Sequence, residues 1–318
     1  MRTILLALCC APLLACPAVE ETPDDAPDDL RRDFPTAPEG AYVIESPDYV
    51  IPAGTERQWC TVTTYEGDDV GIAAQYNYQS KNGHHVTIFG TTEPVRNLPD
   101  GEVWDCTETE DLNMSSMEPI LIGGSIAYDD EGVINEYELP EGFAAPLKGG
   151  QRIILQSHYL NVTERDILVR DVAQFVLVPE DTVTTWTAAF VNTVTNFTIP
   201  ANTPEYTLSF DCDFEDEYSL LFLGGHLHEW GKSFKTERTN ASGTSTIYEV
   251  PEWEPVLRDS PTYVEYERDE FNFGPDDTFT TTCTWFNGGD TDIGFPQEMC
   301  VTFGMAYPTR VPVICDPS

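Results

Sequence analysis

Read for its alternation of apolar and polar positions, the chain breaks into short segments rich in Val, Ile, Thr, Tyr and Phe, punctuated by Gly, Asn, Asp and Pro. Tyr42-Val43-Ile44, Trp59 to Thr64, Val86 to Phe89, Gln151 to Leu160, Ala173 to Val178, Tyr206 to Phe210, Ser219 to Leu223, Thr278 to Phe286 and Met299 to Tyr307 all read as strands. A period of two sends Ile154, Gln156, His158 and Leu160 to one face of their strand, and Met299, Val301, Phe303 and Met305 to one face of theirs. No stretch of about a dozen residues carries a helical apolar period. Many short strands with frequent turns predict an all-β chain made of antiparallel, jelly-roll-like β-sandwich domains. With 318 residues there is length for two, each with its own core. The break falls near Pro179-Glu180-Asp181, giving domains over 41–179 and 180–318. No internal sequence repeat is evident, so two similar domains would be related by shape.

The pattern changes before the first strand. Arg2, the apolar run Ile4 to Cys10 and the small residues that follow make an export signal over 1–15. Leu13-Leu14-Ala15-Cys16 has the form of a bacterial lipobox, which predicts cleavage before Cys16 and a lipid on its thiol. Pro17 gives no inner-membrane retention cue, so the expectation is an exported cell-envelope lipoprotein at the outer membrane or cell surface. It would touch the membrane only through that anchor, since no later apolar run is long enough to span a bilayer. Residues 16–40, acidic and proline-rich, read as a disordered tether. The 55 acidic against 16 basic residues give a formal net charge of −39, a field that repels phosphate backbones and sets nucleic acid aside as a partner. Apart from Cys9, Cys10 and Cys16, the cysteines are Cys60, Cys106, Cys212, Cys283, Cys300 and Cys315. An even set without a C-x-x-C pair implies disulfides, of open connectivity, rather than a cysteine zinc site. The N-x-S/T tripeptides at Asn113, Asn161, Asn196 and Asn240 are incidental in a bacterial lipoprotein.

Candidate chemistry rests on the five histidines. His226 and His228 in Gly224-Gly225-His226-Leu227-His228-Glu229-Trp230-Gly231-Lys232 would share one face of a strand and present a chelating pair of imidazoles. His84 and His85, being adjacent, face opposite ways on a regular strand, so they can share an ion only if the strand twists or bulges there. His158 lies in Gln156-Ser157-His158-Tyr159, and Met299 in Glu298-Met299-Cys300. Each of these alone has a plain structural explanation: a polar strand edge, a core histidine, a core methionine.

Taken together, the order H-H, Q-x-H-Y, H-x-H-x-x-G-K and E-M-C uses every histidine and resembles the copper type II, ascorbate-dependent monooxygenases, from about Trp59 to Cys315. That family includes peptidylglycine α-hydroxylating monooxygenase and dopamine β-monooxygenase. The resemblance implies two jelly-roll-like domains with one copper ion each. His84, His85 and His158 would hold the copper that stores and delivers an electron; His226, His228 and Met299 would hold the one where oxygen is activated, and Gln156 would stand just behind the first set. It also implies the pairings Cys60–Cys106, Cys212–Cys315 and Cys283–Cys300, and ascorbate or another one-electron donor as reductant. A soft thioether favours Cu(I), the state that meets oxygen, whereas imidazole tolerates both oxidation states. The family's amidating branch clamps a substrate carboxylate from positions that are Gly224, Val301 and Phe303 here, and those residues have no group to do so. Gly90 stands where the family often has a further cysteine. The expectation is therefore a monooxygenase that hydroxylates a C–H bond of an apolar or aromatic small molecule with O2. The alternative is an exported, non-catalytic two-copper binding protein; a zinc hydrolase is disfavoured because Met is an uncommon zinc ligand.

Overall fold

The computed structural model describes residues 26–91, 99–106, 118–120, 126–258, 260–295 and 297–316; the export signal, Cys16 and Asn113 lie outside them. The chain forms two antiparallel, jelly-roll-like β-sandwiches in succession. In the first, Val70–Ser80 is paired along one side by Asp171–Pro179, which in turn pairs Tyr42–Glu45, and along the other by Gly132–Glu138 and Phe143–Leu147. The second sheet of this sandwich runs in the order Val103–Asp105, Glu56–Thr64, Arg152–Leu160, Gly83–Thr91. Alternate positions of both sheets, among them Ile72, Phe175, Ile88, Ile153 and Leu155, meet in one core.

The second sandwich repeats this plan. Ala188–Thr193, Val301–Tyr307 and Tyr218–His226 follow one another in one sheet, and Thr203–Asp213, Thr278–Asn287, Gly231–Asn240 and Gly243–Val250 in the other. The correspondence reaches single residues at one corner. Ile51-Pro52-Ala53-Gly54-Thr55 and Ile199-Pro200-Ala201-Asn202-Thr203 make the same turn, with φ of 63° at Gly54 and 54° at Asn202, where Gly and Asn are the residues that tolerate a left-handed backbone. Asn161 Nδ2 donates to the carbonyls of Ile51, Pro52 and Arg165 at 3.0, 3.2 and 2.8 Å. Asn287 Nδ2 donates to those of Ile199, Pro200 and Thr291 at 3.2, 3.1 and 2.9 Å. Asp166 and Asp292 each accept the N–H of the corner alanine at 2.9 Å. A short repeat, I-P-A-[GN]-T with a distant Asn and Asp, is therefore present in the sequence, contrary to the expectation of kinship by shape alone. Asn161 is fully buried in this role, which leaves no room for a glycan on it.

The expected tether also differs. Over the described part, 26–40, the chain packs on the first sandwich: Asp28–Asp29 pairs in parallel with Ile167–Leu168, and Leu30 lies against the small core of Tyr49, Ile51 and Tyr159. Arg32 is buried, with Nη2 2.7 Å from Asp129 Oδ2 and its guanidinium 5.1 Å from the centre of the Tyr78 ring. Composition averaged over the segment hides this, because two arginines in an acidic chain have many carboxylates and carbonyls to dock against.

Each half has a core of its own, with Phe190, Phe234, Phe279 and Trp285 in that of the second, and the core of the first extends across the joint. Leu221, Phe222, Met305 and Tyr307 of the second belong to the same cluster as Phe143, Leu147 and Phe175 of the first. Ring centres lie 4.9 Å apart for Phe143 and Tyr307 and 5.6 Å for Tyr137 and Phe222. The disulfides are Cys60–Cys106, Cys212–Cys315 and Cys283–Cys300, with Cα separations of 5.9, 5.5 and 6.0 Å, the connectivity that the resemblance implies. Such a set belongs to a non-reducing compartment. Among the described residues no helix is long and apolar enough to cross a membrane.

Candidate metal centres

The first cluster forms where Gly83–Thr91 runs beside Arg152–Leu160. His158 faces His85 and Tyr159 faces Gly83, so the register skips His84. The skipped residue makes a β-bulge, and a bulge turns one side chain away from its regular direction. It resolves the difficulty posed by adjacent histidines: the three rings gather with centres 4.7 Å (His85 and His158), 5.0 Å (His84 and His158) and 6.5 Å (His84 and His85) apart. Gln156 lies buried two residues before His158 on the same strand face.

Hydrogen bonds fix which nitrogen each ring offers. His158 Nε2 is 2.6 Å from Glu56 Oε1; a carboxylate accepts, so Nε2 carries the proton and Nδ1 the lone pair. That Nδ1 is buried and has no hydrogen-bond partner among the described residues. An orphaned imidazole nitrogen with a carboxylate behind its other nitrogen is the arrangement of a metal-ligating histidine. His84 Nδ1 is 3.3 Å from Arg258 Nη2, and because a guanidinium only donates, this nitrogen accepts. Among the described residues no three His, Cys, Asp or Glu side chains are closed up tightly enough to hold an ion as they stand. Glu56 holds the Nε2 side of His158 and leaves its Nδ1 open, whereas Arg258 occupies the acceptor nitrogen of His84, so that contact would have to open for His84 to ligate through it. Burial, with His158, His84 and His226 as neighbours, pushes the His85 imidazole well below its ordinary range and keeps it neutral.

The second cluster sits at the matching hairpin of the second sandwich. The strand Tyr218–His226 ends on His226, so His228 lies in the turn beyond it and not on the same strand face as predicted. The two rings still meet, with centres 5.0 Å apart. Pairing of His226 with Val301 and of Gly225 with Thr302 carries the hairpin alongside the chain entering Val301–Tyr307, and the strand begins two residues after Met299, which therefore does not share its face with Val301, Phe303 and Met305 as a strand residue. His228 meets the two residues before Met299: its Nδ1 is 3.0 Å from the Gln297 carbonyl, and its N–H donates to Glu298 Oε2 at 3.1 Å. A carbonyl only accepts, so His228 carries its proton on Nδ1 and offers Nε2. Burial, then His228 and Arg258, push the His226 imidazole down to about 3, so it too is neutral at ordinary pH.

Around His226 the wall is apolar. Gly224 pairs with Phe303, and a Cβ at 224 would lie 2.7 Å from the tip of the Phe303 ring. Tyr263 pairs with Gly224 from the other side. Phe303 thus fills the space that a longer side chain at 224 would need, and Val301 beside it adds no polar group.

Three participants lay outside the sequence reading: Glu56, Arg258 and Glu298. Arg258 Nη1 is 3.0 Å from Glu229 Oε1 while its other terminal nitrogen reaches His84, so it joins the turn of the second cluster to the first. Glu56 and Arg258 carry no spacing signal, since both meet the histidines only through the fold.

No family model and no curated protein matches the chain. Solved structures with a likeness include the major capsid protein P2 of bacteriophage PM2, at 7% identity over 84% of this chain and 97% of that one, TM-score 0.32. Peptide:N-glycanase F matches at 10% identity over 90% and 96%, TM-score 0.27. A triple jelly-roll protein of an archaeal virus matches at 8% identity over 87% of this chain and 62% of its own, TM-score 0.22. At such scores these likenesses carry no inference about what this chain does.

Proposed function

We propose that the protein is an exported copper monooxygenase that hydroxylates a C–H bond of an apolar or aromatic small molecule. One oxygen atom of O2 enters the C–H bond and the other leaves as water, with two electrons from a reductant such as ascorbate. The observation that carries this reading is the division of the histidines at corresponding hairpins: three gather on one sandwich and two on the other, the second group hydrogen-bonded to Gln297 and Glu298, the residues just before Met299. Storage of copper does not require two unlike donor sets. His84, His85 and His158 would hold one ion and His226, His228 and Met299 the other; copper supplies the one-electron steps and the activation of oxygen. The orphaned Nδ1 of His158 and the neutral imidazoles of His85 and His226 fit such a group. The protein's own part is to keep the His85 and His226 imidazoles neutral, to orient His158 and His228 through Glu56 and the Gln297 carbonyl, and to offer the apolar wall of Phe303 and Tyr263 to substrate. A carboxylate clamp is absent from Gly224, Val301 and Phe303, which points away from glycine-extended peptides.

Copper titration, then oxygen uptake with ascorbate and a panel of apolar compounds, tests the reading, with product mass spectrometry after supply of isotopically labelled O2. Two coppers per chain and label in a hydroxylated product are expected. Two coppers with no substrate-dependent uptake would leave the copper-binding alternative. Turnover of glycine-extended peptides alone would overturn the substrate class. Met299→Ile should abolish hydroxylation and leave the first copper bound; full activity in that variant would mean that the second site is misassigned.

A further inference from the structure

Glu298 is a fully buried carboxylate that faces N–H donors. Its Oε1 accepts from the Trp230 N–H at 2.7 Å, and its Oε2 accepts from the His228 N–H at 3.1 Å and from Trp285 Nε1 at 2.9 Å. Two of those donors belong to the turn that carries His228, the third to the sandwich core, and the carboxylate itself is one residue from Met299. An isolated buried carboxylate is unfavourable unless such donors satisfy it; here two of the three tie the ligand-bearing turn to the methionine-bearing segment and the third anchors that segment to the core.

The first sandwich holds the counterpart. Aligned on the corner asparagines Asn161 and Asn287, Tyr159 takes the place of Trp285, and Asp171, at the start of the strand matching Val301–Tyr307, takes that of Glu298. Tyr159 Oη donates to Asp171, also fully buried, and Gln79, at the hairpin preceding His84, reaches Asp171 Oδ2 at 3.4 Å and the His158 carbonyl at 3.5 Å. A buried aromatic donor and a buried carboxylate thus stand behind the histidine hairpin in both halves, from unlike residues.

We infer that Glu298 is a positioning residue of the second metal site, holding the His228 turn at a fixed distance from Met299 while touching no ligand atom itself. This rests on the copper reading above. Outer partners that fix ligand geometry are worth roughly 10–100-fold in metal affinity when removed. Glu298→Gln keeps the side-chain shape and one acceptor oxygen but turns an N–H group toward a backbone N–H. Trp285→Phe keeps the core aromatic and removes one donor.

The test is copper X-ray absorption of the loaded full chain, in which the Met299 sulfur marks the second ion, combined with Cu(I) competition against a chelator. Wild type and Met299→Ile calibrate it: absence of a sulfur neighbour in wild type sinks the copper reading itself, whatever Glu298 does. With that signal present, Glu298→Gln should weaken the second ion roughly 10–100-fold and leave the first unchanged, and Trp285→Phe should weaken the same ion by a smaller factor. Should Glu298→Gln fail to fold, Trp285→Phe decides alone. A second ion bound as in wild type in the folded variants, with only the melting temperature lowered, would overturn the inference and leave Glu298 as a core residue.

Discussion

At the scale of single residues, the tautomers carry more information than the ring positions. The Glu56 carboxylate leaves His158 with its lone pair on Nδ1 and the Gln297 carbonyl leaves His228 with its lone pair on Nε2, and on the copper reading those are the nitrogens that would bind. Removing Glu56 frees the His158 ring to rotate and to protonate either nitrogen, so Glu56→Ala is expected to weaken the first copper by roughly 10–100-fold. Glu56→Gln, which keeps an acceptor oxygen, should lose less; a chelator competition resolves the order, and equal affinity in all three proteins would refute the role. Asp171 makes a second residue-scale prediction. Burial pushes its carboxyl up to about 6 from an ordinary 3.8, against the pull of its Ser157, Tyr159 and Gln79 neighbours. A carboxyl raised on folding means that the native state prefers the protonated form. Its contribution to stability is therefore fully present below pH 3.8 and is lost as pH rises through about 6. The loss amounts to about 3 kcal/mol by pH 7. Asp171→Asn lacks this titration, so the stability gap between wild type and variant should move against wild type by about 2.5 kcal/mol between pH 4 and 7 in urea melts. A gap that stays flat would show that Asp171 is ionised in the fold throughout.

At the scale of elements, the two corner asparagines act as identical clamps on different strands. Each satisfies three carbonyls that the turn would otherwise bury without a donor. Asn161→Ala and Asn287→Ala should each destabilise by about 3 kcal/mol, because the orphaned carbonyls keep their desolvation penalty. Effects below about 1 kcal/mol would mean that water takes over the clamp. Much of this level was legible beforehand: Glu56–Thr64, Tyr218–His226 and Thr278–Asn287 cover segments that alternation had marked as strands and Arg152–Leu160 all but the first residue of its own, whereas Val301–Tyr307 begins two residues late and leaves Met299 before the strand. The gathering of His84, His85 and His158 was legible only conditionally, since a bulge is a property of two strands in register and one strand's sequence does not contain it. His228 shows the converse error. Period two assumes that the strand continues, but it stops at His226, where Trp230 and His228 turn their N–H groups to Glu298. Arg32 and Leu30 escaped because composition was averaged over a segment in which a few residues dock. The I-P-A-[GN]-T repeat was in plain view, but five residues mean little until the asparagines, distant in sequence, are seen on the same carbonyls.

At the scale of the whole molecule, the relation between the two clusters depends on how the sandwiches are joined. Arg258 spans from Glu229, in the turn of the second cluster, to His84 of the first. On the copper reading, an electron would have to pass between ions held at the two clusters, which calls for a constant separation that a loose linker would not give. The joint is not loose: Phe222 is almost fully buried with its ring against Tyr137 of the other half, Met305 is fully buried in the same cluster, and Arg268 lies 4.6 Å from the Phe143 ring centre. A core shared in this way couples the stabilities of both halves, unlike the smaller and more polar contacts usual between mobile domains. Phe222→Ala should cost about 3–5 kcal/mol, from lost transfer energy and the cavity left behind. The loss should appear in both halves at once: calorimetry should keep a single transition at lower temperature, and amide exchange should accelerate in Val70–Ser80 of the first sandwich as well as in Val301–Tyr307 of the second. Two separated transitions, with the first sandwich unmoved, would show that the halves fold independently, and the fixed spacing of the two clusters would then need another cause, with the Arg258 bridge as the remaining candidate.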